Sequence, residues 1–87
     1  MKNIGGFLMQ KLKQDVTIGS NIQRLRLRKG LTQEQTVAQL QVLGCSLTRV
    51  TYAKIELGTY NIRISELLSM AKVFQANIQE FFENIEI

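Results

Sequence analysis

The sequence predicts an all-α fold, a compact bundle of about five short helices containing a helix-turn-helix. Apolar residues recur at helical spacing in successive short segments. Capping residues and glycines punctuate those segments. β-Branched residues are scattered and never alternate for long enough to mark a strand.

Each helix has its own signals. Ile18, Ile22 and Leu25 fall at i, i+4 and i+7 and form one face of a first helix. Thr17 can cap it, and Gly30 ends it after Arg28-Lys29, whose charges suit a helix C-terminus. Thr32-Gln33-Glu34-Gln35 is a capping box, in which Thr32 serves the Gln35 N–H and Gln35 reaches back. The second helix it opens carries Val37 and Leu40 and runs to about Leu43, before Gly44. A third helix starts from Thr48 as N-cap, turns Tyr52 and Ile55 inward and stops at Gly58. A fourth covers Ile64 to Phe74, with Ile64, Leu67, Leu68 and Ala71 expected inward. Asn77-Ile78-Gln79-Glu80 is a second capping box and opens a short last helix through Phe81 and Phe82.

Residues 17–84 therefore read as the domain, with 85–87 as a tail. Residues 1–16 are an N-terminal extension in which Leu8, Leu12 and Val16 share one helical face. It reads either as an extra amphipathic helix, used for dimer contact or packing, or as a frayed tail.

Composition removes whole classes of chemistry. The chain has 87 residues, enough for one modest core. It has no His and a single Cys, which excludes His/Cys zinc clusters, intrachain disulfides and Ser/His/Asp or Cys/His nucleophiles. No apolar run can span a bilayer, and Lys11 and Lys13 interrupt any signal-peptide core, so a cytoplasmic protein is expected. No metal, cofactor or membrane partner is called for.

The net charge of +4 is unevenly spread. Residues 18–63 hold Arg24, Arg26, Arg28, Lys29, Arg49, Lys54 and Arg63 against only Glu34 and Glu56. Residues 64–87 hold Lys72 against Glu66, Glu80, Glu83 and Glu86. A basic body with an acidic end suits a polyanion on one face. A merely solvated charged surface fits the charge pattern equally well.

The order of motifs is more informative. Leu31-Thr32-Gln33-Glu34 opens one short helix, Lys54-Ile55-Glu56-Leu57-Gly58 closes the next, and Glu66-Leu67-Leu68-Ser69-Met70-Ala71-Lys72-Val73-Phe74 follows. Over roughly Ile18 to Glu83 the chain resembles the lambda-repressor/Cro-type helix-turn-helix family, also called the xenobiotic-response-element family of bacterial and phage regulators. The resemblance implies a sequence-specific DNA-binding transcriptional regulator, and not an enzyme. It would be a repressor acting as a homodimer on a palindromic or pseudo-palindromic operator, because one helix-turn-helix buries too little surface for tight specific binding.

In that family the third helix enters the major groove of duplex DNA and the second braces across the backbone. The implied base contacts are Arg49, Val50, Ala53 and Lys54, which lie away from the Tyr52/Ile55 face. Arg49 is suited to guanine O6 and N7, and Val50 and Ala53 to a thymine methyl. The implied backbone contacts are Gln33, at a helix N-terminus suited to phosphate, and the following loop with Thr59, Tyr60, Asn61 and Arg63. Tyr60 is also readable as a packing aromatic. Arg26 and Glu56 stand where the family pairs an arginine of helix one with the glutamate that closes helix three. Arg26 is accordingly left out of the DNA contacts. The competing reading is an antitoxin-type interaction module that binds DNA and neutralises a protein partner.

Three departures from the pattern matter. About five extra residues within Gln41–Leu47 lengthen the second helix or its turn, with Leu43 and Leu47 expected to cover extra core and Cys45 to be a small half-buried or buried residue. Thr36 and Val37 replace the usual Leu and Ala, with Thr36 expected half exposed. Arg63 sits at an N-cap without a capping oxygen.

Overall fold

The structure is a computed structural model that describes residues 17–85, so the 1–16 extension and residues 86–87 lie outside the described residues. Among the described residues four α-helices follow one another: α1 (Gly19–Lys29), α2 (Gln33–Val42), α3 (Arg49–Leu57) and α4 (Ile64–Phe74). The fifth segment, Ile78–Phe82, is a 3-10 turn and not an α-helix. No strand occurs among the described residues.

The helix starts are set by side-chain oxygens. Thr32 Oγ1 accepts the Gln35 N–H at 3.0 Å, and Gln35 Oε1 accepts the Thr32 N–H at 2.9 Å. Thr48 Oγ1 accepts the Thr51 N–H at 3.1 Å at the start of α3. Thr17 Oγ1 accepts the Gly19 N–H at 2.9 Å, although Ile18 is the residue at the N-cap of α1. Arg63 has no capping oxygen, and the gap is filled from inside the helix, because Glu66 Oε1 accepts the Arg63 N–H at 2.8 Å. Glu80 Oε2 accepts the Asn77 N–H at 3.0 Å in the same way.

The core joins all five segments. Ile22, Leu25, Leu40, Tyr52, Ile55, Ile62, Met70 and Phe81 are fully buried, and Phe74 stacks on Phe81 with ring centroids 6.5 Å apart. α1 packs on α3 and on the 3-10 turn, and α2 packs on α3 and α4. Gly19 lies against the end of α3, where an added Cβ would fall 2.3 Å from the Glu56 carbonyl oxygen.

Packing overrides several sequence expectations. Thr36 is fully buried, because its hydroxyl donates to the Thr32 carbonyl at 2.9 Å and so carries no unsatisfied polar atom inward. Leu68 is exposed, and Met70, Val73 and Phe74 take the inner face of α4 with Leu67, while Ile64 and Ala71 are half buried. In the lengthened turn Leu47 is buried but Leu43 is exposed, since the chain reverses at Gly44 (φ 87°) and only the returning strand of the turn meets the core. Cys45 is half buried against the core.

The cap on α3 yields a direct test. Thr48→Ala is expected to lower stability by about 1 kcal/mol, and Thr48→Gly by much less, in denaturant unfolding. An alanine variant as stable as the parent would show that the hydroxyl bond to Thr51 is not what starts the helix.

Candidate nucleic-acid interface

The second and third helices form a helix-turn-helix joined by the 43–48 turn. Arg49 and Val50 stand exposed on the first turn of α3, with Lys54 exposed one turn further and Ala53 half buried between them. Tyr52 and Ile55 are turned fully into the core, which fixes the face that α3 presents. Arg49 Nε lies 4.0 Å from the Glu34 carboxylate on α2, with both side chains largely in solvent. Such a contact contributes little to stability and leaves the guanidinium available.

The loop after α3 runs alongside. Thr59, Asn61 and Arg63 are exposed, and Ile62 between them is fully buried and anchors the loop. Tyr60 packs partly on the core and its hydroxyl donates to Glu66 Oε2 at 3.3 Å. Burial and then the Glu66 carboxylate push that hydroxyl's pKa up.

Beneath this face lies a buried polar junction. Arg26 Nε donates to Glu56 Oε2 at 2.6 Å, Arg26 Nη2 to Glu56 Oε1 at 3.1 Å, and Arg26 Nη1 to the Leu31 carbonyl at 2.8 Å. One guanidinium thus ties α1, the α1–α2 loop and the end of α3 together. The Arg26 and Glu56 side chains are only 9% and 3% exposed. Gln33 joins them, its Nε2 donating to Glu56 Oε1 at 3.0 Å. Burial pushes the Glu56 carboxyl up, but the hydrogen bonds from Arg26 and Gln33, with the nearby Tyr52 hydroxyl, outweigh this and hold it below the usual carboxylate range. The buried Tyr52 hydroxyl meets full hydrogen-bond geometry with neither Arg26 nor Glu56, and burial pushes its own pKa far up.

With the Gln33 side chain engaged, the donors left at the α2 N-terminus are backbone groups. The Gln35 and Thr32 N–H groups are used by the capping box and one hydrogen of the Gln33 amide by Glu56. The Gln33 and Glu34 N–H groups remain, directed along the helix axis.

Sequence reasoning missed the Gln33–Glu56 bond, the close approach at Gly19 and the role of Asn21, whose Nδ2 donates to the Phe81 and Glu83 carbonyls at 3.0 and 2.8 Å. Only Gly19 left a local signal, a glycine at the first position of a helix, where no turn demands one. Among the described residues no cluster of His, Cys, Asp and Glu could hold a metal, and no helix is long and apolar enough to cross a membrane.

An exposed basic helix positioned by a buried fork, beside a helix whose N-terminus presents unused N–H groups, defines a DNA-binding helix-turn-helix protein. The chain belongs to the helix-turn-helix family HTH_3, which matches residues 22–81. Among solved structures it is similar to the restriction-modification controller protein C.AhdI from Aeromonas hydrophila, at 26% identity and a TM-score of 0.65, covering 75% of this chain and 91% of that one. It is also similar to an HTH_3 family transcriptional regulator from Vibrio cholerae, at 25% identity and a TM-score of 0.64, covering 77% of this chain and 35% of that one. The hypothetical transcription factor NHTF from Neisseria shares the fold at 20% identity and a TM-score of 0.64, covering 83% of this chain and 84% of that one. No curated protein matches the sequence. The family, with the first two of these neighbours, makes the chain a DNA-binding transcriptional regulator, and not an enzyme.

Proposed function

We propose that the chain is a repressor that binds a palindromic or pseudo-palindromic operator as a homodimer. The observation that carries this reading is the outer face of α3, where Arg49, Val50 and Lys54 stand exposed while Tyr52 and Ile55 lock the helix from behind. Arg49, Val50, Ala53 and Lys54 read base edges. The Gln33 and Glu34 N–H groups, with Thr59, Tyr60, Asn61 and Arg63, hold the two flanking backbones, Asn61 and Arg63 through exposed side chains and Tyr60 from a partly packed position. A single module of this size buries too little surface for tight specific binding, and two copies on a symmetric site supply the remainder.

The test begins with selection of preferred duplexes from a random pool, followed by titrations on the selected and a scrambled duplex. Affinity for both is expected to fall steeply with salt. Arg49→Ala is expected to cost about 1–3 kcal/mol on the selected duplex and to relax preference at one base pair per half-site. Arg63→Ala, which removes an exposed side chain from the proposed backbone contacts, is expected to weaken both duplexes by similar factors, because phosphates carry no base identity. If Arg49→Ala weakens both equally while Arg63→Ala changes the preference, a different face of α3 or a different helix meets the groove. A flat salt dependence, or no binding at low salt, overturns the DNA reading altogether.

A further inference from the structure

We propose that the acidic C-terminal segment masks a second polyanion-binding surface on the outer face of α1, so that DNA is accepted only on the helix-turn-helix side; this rests on the DNA-binding reading above. α1 carries cations on two faces. Arg26 shares with Gly19 the face that meets α3. At about 100° per residue, Arg24 and Arg28 each lie about 160° around the axis from Arg26, pointing away from the recognition helix, and about 40° from each other. Their side chains are 43% and 49% exposed, long enough and accessible enough to take a phosphate.

Both are covered by carboxylates from the 3-10 turn and its end. Arg28 Nη1 donates to Glu80 Oε1 at 2.6 Å. Arg24 Nη2 donates to Glu83 Oε1 at 3.2 Å and to the Glu80 carbonyl at 3.2 Å. These contacts are not what anchors the segment. Phe81 is fully buried against Phe74, and Asn21 donates to the Phe81 and Glu83 carbonyls. Exposed ion pairs contribute little to stability, so the consequence of placing two carboxylates here is chiefly in the surface field. On the helix-turn-helix side the balance is opposite. Among the described residues Lys54 and Arg63 make no salt bridge, and Arg49 makes only the loose one to Glu34. The basic body and acidic end of the sequence thus fold into one neutralised face and one cationic face. Without the mask, α1 would offer a second way to sit on DNA, with the recognition helix turned away and no sequence read.

The experiment uses the full chain and a scrambled duplex, titrated across salt concentration. Glu80→Gln and Glu83→Gln together keep the side-chain carbonyls that can accept from Asn77 and Arg24 but remove both charges. The paired variant is expected to bind the scrambled duplex more tightly and with a log–log salt slope steeper by about 1.8, which is about 0.9 for each of two added phosphate contacts. The ratio of affinities at 50 and 200 mM salt then widens about tenfold. Adding Arg24→Gln and Arg28→Gln is expected to return slope and affinity to those of the unmodified chain. Arg24→Gln with Arg28→Gln alone is expected to leave DNA binding unchanged, because those arginines are already covered. An unchanged slope on removing the carboxylates overturns the mask. So does a gain that survives loss of the two arginines, or a loss of affinity when the arginines alone are removed. If the unmodified chain binds no duplex at low salt, the DNA reading falls first and the mask with it.

Discussion

Arg26→Ala is expected to lower stability by about 3–5 kcal/mol, a large part of what a domain of this size has. Three hydrogen bonds go with the guanidinium: two to Glu56 and one to the Leu31 carbonyl. Most of the loss comes from what is left behind, a Glu56 side chain only 3% exposed whose remaining donor is the Gln33 amide. Arg26→Lys is expected to rescue little, since one ammonium cannot form the planar fork and also reach Leu31. Denaturant unfolding of Arg26→Ala, Glu56→Ala and the double variant decides the matter. The double variant should lose clearly less than the two singles combined. Small, additive losses would show that the pair does not hold the fold.

The same junction fixes a pH dependence. Glu56 has a folded-state pKa below its ordinary value, so the unfolded chain takes up a proton at higher pH than the folded one. Its contribution is fully present above the unfolded carboxylate value of about 4.3 and is lost as pH falls below that value. The stability of the unmodified chain should therefore drop on acidification through this range more than that of Glu56→Gln. Parallel curves would show that Glu56 does not titrate differently on folding.

Local chemistry is what the sequence displayed well. Thr32 with Gln35, Thr48, Gly30 and Gly58 each act within a few residues along the chain, and their physics can be read from spacing alone. The buried face of α3 was legible for the same reason, because Tyr52 and Ile55 are three apart on one short helix. Long-range pairing was not. Leu68 and Met70 are both plausible core residues by periodicity, and only the placement of α4 against α2 and α1 chose Met70. Thr36 looked half exposed because a hydroxyl alone suggests a surface, yet a bond to the carbonyl four residues back lets it be buried. The charge runs misled in a similar way. Arg24 and Arg28 counted toward a basic body, but residues 52 to 59 positions downstream neutralise them. The Arg26–Glu56 pair was suggested only by resemblance to a family, and the Gln33 bond that extends it had no signal in spacing or composition.

Gly19→Ala is expected to destabilise the fold by about 2 kcal/mol net and to abolish discrimination between selected and scrambled duplexes. An alanine methyl at this position would lie 2.3 Å from the Glu56 carbonyl oxygen and 2.7 Å from that of Ile55. These are backbone atoms at the end of the recognition helix and cannot rotate aside. Alanine favours a helix over glycine by up to about 1 kcal/mol, and overpacking of this kind costs about 3 kcal/mol, so the clash wins. Relief requires α1 and α3 to separate, which pulls the Arg26 fork from Glu56 and re-aims the outer face of α3, including Arg49, the residue proposed to read a base. Gly30→Ala is the matching control, with open space around the site but a φ of 79°, so it should show only backbone strain of about 1–2 kcal/mol and unchanged discrimination. Thermal melts and paired titrations of the two variants separate the causes. If Gly19→Ala melts like the parent and keeps its sequence preference, α1 and α3 do not touch at Gly19, and the recognition helix is positioned by something other than this contact.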